Sequence, residues 1–174
     1  NTNINVSENV LTMQKKVYMP YIEKYFEDRK FSYFEYSPGG PPEIDYIRHS
    51  TFDINDGRQS LGIQNTFSFI QEGLNGIDVF LDNIQHRAEG QMTGMRGLLE
   101  FAYNHKDEIK NLVKTEREKL VNNKVSHKVA IQLDHFSDGS KLELPLLSYY
   151  TNKDTVVTVS DYRPIVKSLY GVER

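Results

Sequence analysis

One acidic residue, Glu72, stands where the sequence pattern predicts that a β-strand ends. Residues 65–72 read Asn-Thr-Phe-Ser-Phe-Ile-Gln-Glu, and Gly73 follows at once. The alternation places Phe67 and Phe69 on one face of a strand and Glu72 on the other. A carboxylate at the end of a mostly buried strand is half desolvated, which raises its pKa towards the range where a general base works. Glu72 is therefore the candidate catalytic residue, and an ordinary solvent-exposed glutamate is the alternative.

A cation precedes this segment in what reads as a loop. Arg58 follows Asp56-Gly57, a pair typical of a tight turn. A guanidinium group binds a carboxylate through two parallel hydrogen bonds, so Arg58 is a candidate substrate-binding residue. The alternative is an ion pair with Asp53 or Asp56 that stiffens the loop.

Two His-x-x-Glu matches have a spacing that suits metal binding. His86 and Glu89 form one match, and His105 and Glu108 form the other. Residues three apart share a helix face, but in a helix rich in Lys and Glu plain surface residues are the favoured interpretation. Residues 53–57 resemble a calcium loop, yet the glycine comes one position early and no glutamate stands where one should close the site. No metal ligand is assigned.

Composition excludes several classes of function. The chain of 174 residues has a net charge of −3 and no basic block, which argues against nucleic acid or an anionic membrane as the main partner. It has no cysteine, so disulfides, thiolate zinc sites and a cysteine nucleophile are excluded. No apolar run approaches the roughly 18 residues that a membrane span needs. The chain opens without Met, a sequence compatible with a removed signal peptide, and the compartment stays open with a secreted or periplasmic one favoured.

The N-terminal part of the chain predicts a helix, a strand and a long loop. Apolar residues repeat at spacings of three and four over residues 8–29, with Ser7 as the N-cap and a kink at Pro20. Residues 31–36 alternate as in a short strand. Residues 43–64 read as a long loop, and loops of this length in a compact domain are usually functional.

The rest of the chain divides into a helical and a β-rich region. Residues 79–122 have helical periodicity, interrupted by Gly90, Gly94 and Gly97. Each glycine costs about 1 kcal/mol relative to Ala, which indicates either two helices or a close approach of one helix to a sheet. The predicted domains are residues 1–122 and a β-rich extension over residues 123–174.

Ser68-Phe69-Ile70-Gln71-Glu72 resembles the Ser-Phe-x-x-Glu strand of the zinc carboxypeptidases with the carboxypeptidase A-like fold. Residues 48–62 are similar to the loop before that strand in bacterial members, and the resemblance covers residues 8–120. It implies an α/β fold, the C-terminal half of a mixed sheet flanked by helices. It further implies zinc as cofactor, a peptide or protein as substrate, and Glu72 as the general base that activates zinc-bound water.

The chain departs from this family in its metal ligands. The family binds zinc through His-x-x-Glu and a later His, all upstream of the catalytic glutamate. Here His49 is the only histidine before Glu72. The resemblance therefore implies that the zinc ligands lie in a missing N-terminal half of the domain, and that this fragment alone is inactive. The competing class is a non-catalytic domain that binds a peptide or glycan or has a structural role.

Overall fold

The computed structural model describes residues 3–36, 51–73, 84–124, 128–148, 150–163 and 166–173. Within these ranges the chain forms five α-helices, one π-helical turn and four strands. The helices are α1 (Glu8–Met13), α2 (Met19–Glu27), α3 (Gly57–Gly62), α4 (Ile84–Asn104) and α5 (Lys106–Val121), with the π-helical turn at Gln14–Tyr18. The strands are β1 (Lys128–His135), β2 (Lys141–Leu147), β3 (Asp154–Ser160) and β4 (Val166–Glu173). The α/β class is confirmed at this coarse level.

The described residues belong to two compact units. The first unit contains the helices, in residues 6–34, 57–73 and 84–124. The second contains the strands, together with residues 3–5, 35–36 and 51–56. None of the described helices combines the length and apolarity that crossing a bilayer requires.

The predicted N-terminal helix is confirmed, with a change of helical pitch just before Pro20. The π-helical turn joins α1 to α2, and Pro20 is the second residue of α2. Proline has no N–H to donate to the carbonyl four residues earlier, so the wider turn lies where a regular α-helical bond is missing. Ser7 stands at the N-cap of α1, but its side chain makes no capping hydrogen bond.

An aromatic cluster forms the core of the helical unit. Tyr18 lies at its centre, with its ring centroid 4.2 Å from that of Phe69 and 5.1 Å from that of Phe101. Ile22 and Tyr25 of α2 belong to the same buried cluster. Burial, with a smaller contribution from Tyr21, raises the pKa of Tyr18 to about 12, so its hydroxyl stays protonated at every physiological pH.

The second predicted helical region is two helices, and they separate at His105 rather than at a glycine. The glycines instead allow close packing. A Cβ at Gly97 would lie 2.6 Å from Cδ1 of Ile22 and 2.9 Å from Cδ1 of Tyr25. The predicted close approach is therefore made to α2 at Gly97 and to the side chain of Gln71 at Gly94, and neither partner belongs to a sheet. Residues 79–83 lie outside the described residues.

Two predicted strands are wrong. Residues 31–36 and 65–72 form no β-ladder within the described part of the chain. A strand requires a hydrogen-bonded neighbour, and here Phe67 and Phe69 pack against the helical core instead. The predicted loop over residues 43–64 contains helix α3 at its C-terminal end, and residues 43–50 lie outside the described residues.

The β-rich region is confirmed, but its pairing is nested. β1 pairs antiparallel with β4, and β2 pairs antiparallel with β3. The sequence Ser137-Asp138-Gly139-Ser140 is typical of a hairpin turn and predicts that its flanking strands pair. This prediction is wrong, because the turn joins β1 to β2, which do not pair with each other. Apolar cross-strand neighbours such as Leu144 and Val157 favour the inner hairpin instead.

Asn5 ties the N-terminal segment to β1. Its side-chain Nδ2 donates to the carbonyl of Ala130 at 2.8 Å, and the N–H of Ala130 donates back to Oδ1 at 2.9 Å. The amide therefore satisfies both backbone groups of Ala130, as a neighbouring strand would. The register of β1 against β4 shifts between Ala130 and Gln132, directly after this contact.

Candidate functional site

Glu72 lies at the exposed end of an extended segment, residues 67–73. Phe67 and Phe69 pack into the aromatic core, and Nε2 of Gln71 donates to the backbone carbonyl of Gln91 at 2.9 Å. Ser68, between the two phenylalanines, is buried as well, whereas Ile70, Gln71 and Glu72 are exposed. The alternation predicted from sequence is therefore not present in the burial of these residues. The side chain of Glu72 is exposed, so the expected half-desolvated carboxylate is wrong.

The segment is anchored at its start by Asn65. The side chain is 2% exposed, and its Oδ1 accepts the backbone N–H of Ser7 at 2.7 Å. Its Nδ2 donates to the carbonyl of Glu116 at 3.5 Å. Asn65 has a φ of 52°, a left-handed conformation that Asn tolerates better than other residues with a Cβ. Together these contacts fix the position of the chain between the end of α3 at Gly62 and the start of residues 67–73.

A buried carboxylate that was not predicted, Glu116, completes this anchor. Its oxygens accept hydrogen bonds from Oγ of Ser7 at 2.8 Å, Nδ2 of Asn9 at 2.9 Å and Nζ of Lys119 at 2.6 Å. Burial acts to raise the pKa of Glu116, but these hydrogen bonds together outweigh it and lower the pKa. A signal was present in the sequence, because Glu116 follows Leu112 by four residues and so falls on the apolar face of α5.

Arg58 does not lie in a loop but is the second residue of helix α3, where it is half-buried. A turn precedes it, but over Asp53–Asp56 rather than at the predicted Asp56-Gly57: the N–H of Asp56 donates to the carbonyl of Asp53 at 3.0 Å, and Gly57 is the first residue of α3. The role of Arg58 in binding a substrate carboxylate stays a prediction.

The two His-x-x-Glu pairs lie on the surface of α4 and at the junction of α4 with α5. The ring of His86 stacks on Phe31, with centroids 4.9 Å apart. Nδ1 of His105 lies 2.9 Å from Oε2 of Glu108. Across the described ranges, no three His, Cys, Asp or Glu side chains are placed to hold a metal ion together. The described residues therefore do not form the zinc site that the resemblance implies.

A groove runs along α5 beside the start of the extended segment. Its volume is about 620 Å³, and Ile109, Val113 and Val121 supply apolar side chains to its lining. Three cations, Lys110, Lys114 and Arg117, also line it, as does one carboxylate, Glu118, whose Oε1 lies 3.8 Å from Nζ of Lys114. Apolar side chains beside an excess of cations suit a ligand that is partly apolar and carries negative charge.

Comparison of the chain with protein-family models, with curated proteins and with solved structures finds no match. The resemblance of residues 68–72 to the zinc carboxypeptidases therefore stays a prediction. The chemistry of the site rests on the residues and their geometry.

Proposed function

We propose that this chain is part of a zinc-dependent peptidase of the carboxypeptidase A-like class, with Glu72 as its general base. The observation that supports this best is the position of Glu72 at the exposed end of a segment whose two phenylalanines, Phe67 and Phe69, are partly buried against the helical core. A catalytic carboxylate needs both access to substrate and a rigid support. Phe67, Phe69 and Asn65 provide the support, and the exposure of Glu72 provides the access.

In this proposal the carboxylate of Glu72 accepts a proton from the attacking water and delivers it to the leaving amine nitrogen. Arg58 binds the carboxylate of a peptide substrate. Residues 67–73, which form no β-ladder with other described residues, hold Glu72 through the packing of Phe67 and Phe69 against the helical core. The described residues do not form a zinc site, so the proposal requires zinc ligands from other parts of the protein.

The test is peptidase activity of the natural protein in its full length, with Glu72→Gln compared with the wild type. The amide keeps the shape of the side chain but cannot accept the proton, so the rate falls by about a hundredfold or more. Bound zinc, measured by mass spectrometry, stays unchanged. The matched control is Glu23→Gln, an exposed glutamate on α2 that keeps full activity.

Two results contradict the proposal. One is a wild-type protein without peptidase activity on any peptide of a diverse library. The other is a Glu72→Gln variant that retains more than about a tenth of the wild-type rate, a loss too small for a general base.

The groove on α5 favours a second candidate, a non-catalytic peptide-binding domain. Its apolar floor and the ammonium groups of Lys110 and Lys114 match a peptide with apolar and acidic residues. Reversing both charges, Lys110→Glu with Lys114→Glu, is expected to weaken binding of such a peptide by about tenfold or more. Fluorescence polarisation of labelled peptides measures this, and Lys15→Glu on the exposed surface of the first helical segment is the control. Equal affinity for all three proteins contradicts this candidate.

A further inference from the structure

Helix α4 has an apolar face in addition to the one that packs into the helical unit. Gly94, Gly97 and Phe101 are buried on the side that packs into the helical unit, Gly94 against Gln71, Gly97 against Ile22 and Tyr25, and Phe101 against Tyr18 and Tyr21. The other side exposes apolar residues, with Met95 61% exposed and Leu99 68% exposed. We call this surface the α4 stripe; it consists of Ile84, Ala88, Met92, Met95, Leu99, Ala102 and Tyr103. A helix that is apolar on two sides is characteristic of a helix with partners on both.

The spacing within the α4 stripe is that of a coiled-coil seam. Ala88, Met92, Met95, Leu99 and Ala102 follow one another at intervals of four, three, four and three residues. Alternation of three and four keeps the residues in line along a helix and allows a second helix to pack along them. The stripe contains no charged residue, so a second helix can cover it without burying a charge.

The charges beside the stripe specify the orientation of the second helix. Glu89 and Arg96 are exposed, seven residues apart on the same edge of the stripe. When two copies of α4 pack antiparallel about the stripe, Glu89 of each copy faces Arg96 of the other, which gives two ion pairs. In a parallel arrangement Arg96 would face Gln91 and Glu89 would face Ile84, so neither pair would form.

The same antiparallel register matches the apolar residues by size. Met92 of one copy faces Met95 of the other, and the small Ala88 faces the larger Leu99. A large residue opposite a small one fills the space between two helices without a void. The two-fold symmetry means that each contact occurs twice.

We propose that the α4 stripe is the docking surface for a second copy of this chain, which binds it as an antiparallel helix pair. A second copy is the partner that charge complementarity favours. The helix α4 itself carries both Glu89 and Arg96, and these two residues face each other in the same register that matches the apolar residues by size. This inference does not depend on the proposed peptidase activity, since none of its residues takes part in that proposal.

Sedimentation equilibrium of the 174-residue chain at concentrations up to about 100 µM tests the proposal. The wild type is expected to form a dimer, and Met95→Glu with Leu99→Glu a monomer, because carboxylates would be buried in the seam. Asn111→Glu, exposed on α5, adds a charge away from the stripe and stays dimeric. Circular dichroism checks that each variant keeps its helices.

Charge reversal distinguishes the proposed partner from any other. Glu89→Arg alone and Arg96→Glu alone each replace two attractions by two repulsions and raise the dissociation constant by about tenfold. The variant that carries both changes restores the pairs and the wild-type constant. A wild type that remains monomeric overturns the proposal. In that case the stripe is covered by another segment of the full-length protein or by a different protein. A dissociation constant of the double variant that is no lower than that of either single variant also overturns it.

Discussion

At the scale of single residues, the carboxylate of Glu116 holds the start of α1 against α5. Three side chains donate hydrogen bonds to it, and their combined effect lowers its pKa despite burial. The side chain of Asn65 donates a hydrogen bond to the backbone carbonyl of Glu116 and so holds the start of the segment that leads to Glu72. The support of the candidate general base therefore begins at a residue far from it in sequence.

Glu116→Gln is expected to lower the free energy of unfolding by about 1–3 kcal/mol near neutral pH, because charge-assisted hydrogen bonds become neutral ones. Urea denaturation followed by circular dichroism measures the change. Glu118→Gln, an exposed neighbour on the same helix, is the control and is expected to stay within about 0.5 kcal/mol of wild type. An equal effect of both substitutions contradicts the role of Glu116.

The stabilisation by Glu116 depends on pH in a defined direction. Since the folded state lowers its pKa, the carboxylate stabilises the fold above the unfolded-state pKa of about 4.3, and this stabilisation is lost as the pH falls through the lower folded value. The difference in stability between wild type and Glu116→Gln is therefore expected to shrink in acid. A difference that grows below pH 4 or so would show that the pKa is raised instead.

The sequence predicted some of these residues and missed others. It placed Glu72 beyond two phenylalanines, and both of them pack against the helical core, but the predicted period of two is not present because Ser68 is buried as well. It predicted a half-buried carboxylate, whereas the structure exposes Glu72 because no strand lies beside it in the described residues. Asn65 was missed as an anchor, since its partners Ser7 and Glu116 are brought together only by folding.

At the scale of elements, the approach of α4 to α2 depends on Gly97. The side chains of Ile22 and Tyr25 occupy the space that a Cβ at this position would need. The helical periodicity was enough to predict these helices, but the partner that the glycines approach was not predictable. A glycine within a helix indicates that another element packs closely there, but the sequence does not indicate which element that is.

Gly97→Val is expected to destabilise the chain by about 1–3 kcal/mol through overpacking. Gly90→Ala is the matched control, because a Cβ there would lie 3.5 Å from Cδ1 of Phe31, an ordinary contact. That control is expected to gain up to about 1 kcal/mol from helix propensity. Thermal unfolding compares the two variants, and a stabilised Gly97→Val would contradict the packing described for α4.

At the scale of the whole molecule, helices and strands belong to different units. Periodicity predicted the helices of residues 8–29 and 79–122, and the β-rich character of residues 123–174 was also predicted from the sequence. The pairing of the strands was not. A turn signal at residues 137–140 favoured a local hairpin, but the chain pairs β1 with β4 across β2 and β3. Pairing between strands distant in sequence depends on the side chains that contact each other across the strands. Turn residues predict only the local direction of the chain and not which strands pair.

The role of Glu72 as the general base of a peptidase is tested by kcat/KM for peptide hydrolysis by the full-length protein, measured for the wild type and for Glu72→Gln. We expect kcat/KM to fall by about a hundredfold or more, mainly through kcat, with zinc content unchanged. A variant that retains more than about a tenth of the wild-type kcat/KM shows that Glu72 is not the general base.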